Sequence, residues 1–125
     1  MLEIQVAKFR FQDLEVWKMS MNIVSQLLEI ADELENRKLF RFAEQLRGAA
    51  MSISNNIAEG SGSNSDKEFS YFLNITRRST FENANILILL HTRKLIPDTI
   101  LNELLRELDY LCRKITNLQK TLNYK

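Results

Sequence analysis

One histidine, His91, and one cysteine, Cys112, set the limit on the chemistry this chain could perform. Together they could form a nucleophile and its base. No motif supports that pairing, and Cys112 falls on the apolar side of a helical repeat, where a thiol is expected to be an inert core group. A closed zinc site needs four ligands, which one Cys and one His cannot supply. A di-iron carboxylate site in a helical bundle needs Glu-x-x-His on two helices. Here Ile88 stands where the glutamate before His91 belongs. The Gly60-Ser61-Gly62 stretch lacks the Lys-Ser/Thr that makes a glycine loop a phosphate cradle. No catalytic residue, no metal and no cofactor is expected.

The polar side chains that remain are structural or electrostatic candidates. A carboxylate at Glu59 or Glu82 could act as a general base. Pairing is the preferred reading, because a buried carboxylate without a partner is costly. Glu59 is expected to bond the following loop or helix start, and Glu82 a hydroxyl facing the bundle or Arg47. Asn55 and Asn56 are expected to tie a helix end to its loop. Arg37, Lys38, Arg41 and Arg47 are read along a second helix, and Lys67, Arg77, Arg78, Arg93 and Lys94 along a third. Arg77 and Arg78 lie off the apolar stripe and could grip phosphates.

Four apolar repeats must position these groups. The first has a seam of Leu14, Trp17, Met21, Val24, Leu28 and Ala31 beside another of Val16, Ile23, Leu27, Ile30 and Leu34, the wide face of a helix with two neighbours. Asp13 is read as its N-cap and Glu15 as its first-turn carboxylate. Trp17 is read as a packing anchor. The second repeat, residues 44–60, carries Leu46, Ala50, Ile53 and Ile57 with small Gly48, Ala49 and Ser52 alongside, so that another backbone can come close. Gly60 is read as a left-handed cap ending it. In the third, Ser65 and Glu68 form a capping box. Its stripe of Phe69, Leu73, Thr76, Thr80, Asn83, Leu87 and Leu90 is polar in the middle. The fourth keeps Leu101, Leu104, Leu108, Leu111, Ile115, Leu118 and Leu122 in register. Breaks are read at residues 35–38, 61–64 and 95–98, the last around Pro97. Links this short force antiparallel neighbours, so the fold class is all-α, an antiparallel up-down-up-down four-helix bundle over residues 11–125. Residues 1–10 form a separate N-terminal arm, lying on a neighbouring copy or frayed.

The whole chain fits that reading. Three glycines and one proline in 125 residues leave few breaks between long elements. No apolar run reaches the ~18 residues of a membrane span. MLEIQVAKFRF carries charges where a signal peptide would be apolar, so a cytoplasmic location is expected. The net charge of +1 hides an asymmetry, because residues 1–36 carry a net of −4 and residues 37–125 a net of +5. A mildly basic body with an acidic first helix is not the footprint of a strong nucleic-acid binder. It suits contact between copies equally well.

The segment QLRGAAMSISNNIAEGSG, with FQDLEVWK before it and SDKEFSYFL after it, resembles the family of 23S rRNA intervening-sequence proteins. The resemblance spans residues 9–122 and includes Trp17, Gln45, Asn56, Glu59, Gly60 and an acidic residue at Glu82. It implies a bacterial four-helix bundle assembled as a homopentameric ring. Through a related group of retroelement accessory proteins, it also implies contact with nucleic acid and a protein partner. The chain departs from the family pattern at Gly48 and Ser63, where arginines are usual, at Arg78 for a glycine and at Asn83 for an apolar residue. The expected function is therefore a homo-oligomer with weak, electrostatic binding of RNA or DNA through Arg41, Arg47, Lys67, Arg77, Arg78, Arg93 and Lys94. The alternative is an oligomeric scaffold for a protein partner.

Overall fold

Four long helices follow from the four apolar repeats. The computed structural model describes residues 7–122, so most of the expected arm, residues 1–6, lies outside them. A short 3-10 helix, Arg10–Asp13, leads into α1 (Glu15–Asn36), α2 (Phe40–Ser61), α3 (Asp66–Thr92) and α4 (Asp98–Thr121). Neighbours run antiparallel, as contacts at both ends show. Leu14 at the start of α1 lines one cleft with Leu118 near the end of α4. Ile30 and Leu34 at the end of α1 line another with Pro97 and Ile100 at the start of α4. On α2 and α3, Ala49 meets Asn83 while Ile53 meets Thr76.

Most of the expected seams form the core. Leu27, Leu46, Ile53, Ile57, Leu73, Leu87, Leu111 and Ile115 are fully enclosed. In α1 the second seam forms the centre, with Val16, Ile23, Leu27 and Leu34 buried, while the first reaches the core only at Val24 and Ala31. Ser20 is buried there, its hydroxyl donating to the Trp17 carbonyl at 2.7 Å, while Met21 turns outward. Trp17 is half-buried and packs on Phe11, with ring centroids 5.1 Å apart. Asp13 is not the N-cap: Leu14 occupies that position without a side-chain bond. Asp13 instead pairs with Lys8 at 2.8 Å, and that hydrogen bond holds its carboxyl below the usual carboxylate range.

Two glycines behave differently from their sequence reading. Gly60 is helical, with no positive φ, and α2 continues to Ser61 with Gly62 as its C-cap. Its missing side chain serves packing: a Cβ there would lie 2.6 Å from the Cβ of Phe72 and 3.0 Å from the Phe69 ring. Gly48, expected to admit a close neighbour, has nothing within 4 Å of where its Cβ would stand. The third helix start is half as expected. Ser65 accepts from the Glu68 amide at 3.1 Å, but the Glu68 carboxylate makes no return bond among the described residues.

Small residues let α2 and α3 approach closely enough for side chains to reach the opposite backbone. Thr76 donates to the Ile53 carbonyl at 3.1 Å, and the Ser52 and Ser79 hydroxyls share a bond of 2.8 Å. Asn83, with no exposed surface, donates from Nδ2 to the carbonyls of Ala49 and Ser79, both at 2.8 Å. Its Oδ1 is buried with no partner, an omission that costs about 1–3 kcal/mol. The polar middle of the α3 stripe is thus a bonded seam against α2, with one oxygen left over.

Candidate nucleic-acid interface

The geometry of greatest functional interest is at the end of the bundle where α1 turns into α2 and α3 into α4. Both turns carry the same three residues, Arg-Lys-Leu, at 37–39 and 93–95. Their backbones match as well. Arg37 and Arg93 are the C-caps, at φ −89° and −84°. Lys38 and Lys94 then adopt left-handed conformations, at φ 64° and 62°. The Leu39 amide reaches back to the Leu34 carbonyl at 2.9 Å, and the Leu95 amide to the Leu90 carbonyl at 2.9 Å. The Lys38 and Lys94 amides bond Glu35 and His91 at 2.8 and 2.9 Å. These are paired Schellman motifs, which ordinarily place glycine where the lysines stand. A side chain in that conformation costs about 1–2 kcal/mol.

Arg37 and Lys38 fall in the break expected at residues 35–38, whereas Arg93 and Lys94, expected along the third helix, stand at and beyond its C-cap. Arg41 follows in the first turn of α2, so five exposed cations gather at this end. None of the five has an ion-pair partner among the described residues. Half of the carboxylates in the same segments are bonded. Asp32 and Glu35 both bind Arg47, at 2.8 and 2.5 Å, and Asp98 bonds His91. Glu33, Glu44 and Glu103 remain exposed in the same segments. The N-termini of α2 and α4 also open here. Neither Leu39 nor Pro97 caps its helix with a side chain, so amide donors and the positive helix ends face outward.

The other expected site residues divide. Arg47 is committed to α1 rather than available to phosphate; its hydrogen bonds to Asp32 and Glu35 raise its pKa further. Lys67 is exposed in the first turn of α3, at the far end of the bundle. Arg77 and Arg78 diverge. Arg78 is exposed, while Arg77 is half-buried in the α3–α4 groove with its guanidinium 5.5 Å from the Phe81 ring centre. Glu59 and Glu82 are exposed and make none of the side-chain bonds expected of them. Gln45 is exposed as well. Asn56 bonds within its own helix, to the Ser52 carbonyl at 2.8 Å and hydroxyl at 3.0 Å, not to the loop. Cys112 is half-buried on the wall of the α3–α4 groove, not in the core. The recurring Arg-Lys-Leu was visible in the sequence as a signal for the turn cluster, and was too short to register as a repeat.

An all-α chain of four helices, with cations concentrated at one end, is the class that fold and surface define. Residues 12–117 match the profile of the 23S rRNA-intervening sequence protein family, and the chain belongs to that family. No curated protein matches the sequence. No helix among the described residues is long and apolar enough to cross a membrane.

Proposed function

We propose that this protein is a non-enzymatic, cytoplasmic bacterial homo-oligomer that binds nucleic acid weakly through electrostatic contacts. The observation that carries this reading is the group of five exposed, unpaired cations at the turn end. One such group gives modest attraction. Copies arranged side by side in a ring, with the pentamer implied by the family resemblance, repeat the group around one face and offer several phosphate contacts at once. Exposed Phe40, Met51, Tyr71, Phe81 and Leu89 supply apolar surface for contact between copies. Light scattering is expected to give a solution mass several times that of one chain. Filter binding of RNA and DNA is expected to show affinity falling linearly on a log–log plot against salt, with a slope of roughly 0.7–0.9 per phosphate contacted. Absence of binding at low salt, or affinity indifferent to salt, removes the nucleic-acid reading.

A second reading, a scaffold for a protein partner, draws on the groove of about 540 Å³ between α3 and α4. Its floor is apolar, with Ala84, Leu105 and Leu108, and its rim carries Arg77 and Arg113. Pull-down with the product of the neighbouring gene, in a preparation that binds neither RNA nor DNA, favours the scaffold.

A further inference from the structure

We propose that Lys38 and Lys94 are two prongs of a phosphate grip, and that the phosphodiester backbone of a nucleic acid seats on the turn end of the bundle rather than along its flanks. The inference rests on the nucleic-acid reading above and assigns the residues and the face that carry it. Three independent observations converge there.

The first is backbone strain at matched positions. Lys38 and Lys94 hold φ of 64° and 62° in turns with the same hydrogen bonds and the same residues. Glycine would hold either turn without the steric cost. A non-glycine residue in the left-handed region points to a role outside folding. The second is charge. Arg37, Arg41 and Arg93 flank the two lysines, all exposed and without ion-pair partners; of the carboxylates in the same segments Asp32, Glu35 and Asp98 are held by Arg47 and His91, and Glu33, Glu44 and Glu103 stand exposed on the helices. The third is the backbone beneath them. The helix N-termini at Phe40 and Asp98 lack side-chain caps and add amide donors to the same face. At the opposite end α1 also starts without a side-chain cap, but Ser65 caps α3, and Arg10 is spent on the Ser61 carbonyl at 2.9 Å and on the Phe69 ring.

Lysine is a mobile point charge with three donors, suited to phosphate oxygens in any register rather than to base edges. The grip is therefore indifferent to sequence. Lys38→Gly and Lys94→Gly, singly and together, separate this role from a structural one, because the two readouts move in opposite directions. Relief of strain is expected to raise the melting temperature by roughly 3–6 °C per site. Loss of the ammonium groups is expected to weaken binding of 20-nucleotide RNA and DNA probes uniformly across sequences, and to lower the salt slope by about one per lysine. Lys120→Gln, exposed at the far end of α4, is expected to change neither. A higher melting temperature with affinity and slope unchanged would overturn the grip and leave the nucleic-acid reading standing. Wild-type protein that binds neither probe at low salt would overturn both. Unaltered nucleic-acid affinity with lost binding of poly-glutamate would place an acidic protein on the turns instead, and would also overturn the grip.

Discussion

Asn83→Asp is expected to destabilise the protein by about 3–5 kcal/mol at neutral pH, although it leaves the size of the side chain unchanged. Asn83 is fully enclosed and its Nδ2 donates to the Ala49 and Ser79 carbonyls. Aspartate would turn an oxygen toward two carbonyl oxygens at 2.8 Å. An ionised carboxylate has no counter-ion there, so the group would take up a proton and its folded-state pKa would rise. The sign of the pH dependence follows. A carboxyl with a folded pKa above its unfolded value near 3.9 binds more protons when folded, so its penalty grows as pH rises through that interval. Urea denaturation at pH 7 and pH 4 should show the gap between variant and wild type narrowing on acidification. Asn83→Leu is the informative control. It removes the unpartnered Oδ1 along with both bonds, and is expected to cost far less than the aspartate. A gap that does not change with pH would mean that the site is wetter or looser than the structure shows.

Gly60→Ala is expected to cost about 1–3 kcal/mol, a large effect for one methyl group. The added Cβ would meet the Cβ of Phe72 at 2.6 Å. That atom is fixed to the α3 backbone and belongs to every residue except glycine. Phe72→Ala should therefore fail to rescue Gly60→Ala, because truncating the ring leaves the colliding atom in place. Only movement of the start of α3 relieves it. Recovery in the double variant would show that the Phe72 ring, rather than backbone proximity, limits the space beside Gly60. Thermal melting of the two single variants and the double variant decides the matter.

Much of the fold was legible because side-chain periodicity and packing coincide. The α3 stripe was readable even through Thr76, Thr80 and Asn83, since their spacing kept them on the buried face. What Thr76 and Asn83 would bond across the bundle was not readable, because their acceptors at Ile53 and Ala49 lie 23 and 34 residues away. Gly60 was misread for a related reason. A glycine near a helix end suits either a left-handed cap or a close approach, and only Phe72 decides between them. Arg47 looked available until Asp32 and Glu35 on α1 came within reach. Lys38 and Lys94 resisted the reading most, because turn chemistry expects glycine at a left-handed position. Those lysines, set in matching turns, depart furthest from what local preference dictates. Natural sequences break such rules chiefly where something other than stability is being served.

The most direct measurement is lysine footprinting, with acetylation of the protein followed by mass spectrometry in the presence and absence of a 20-nucleotide RNA at low salt. Lys38 and Lys94 should be protected by the RNA, with Lys18, Lys67 and Lys120 modified as in free protein. Protection at Lys67, or equal modification of every lysine in RNA-bound protein, would contradict a nucleic-acid site at the turn end.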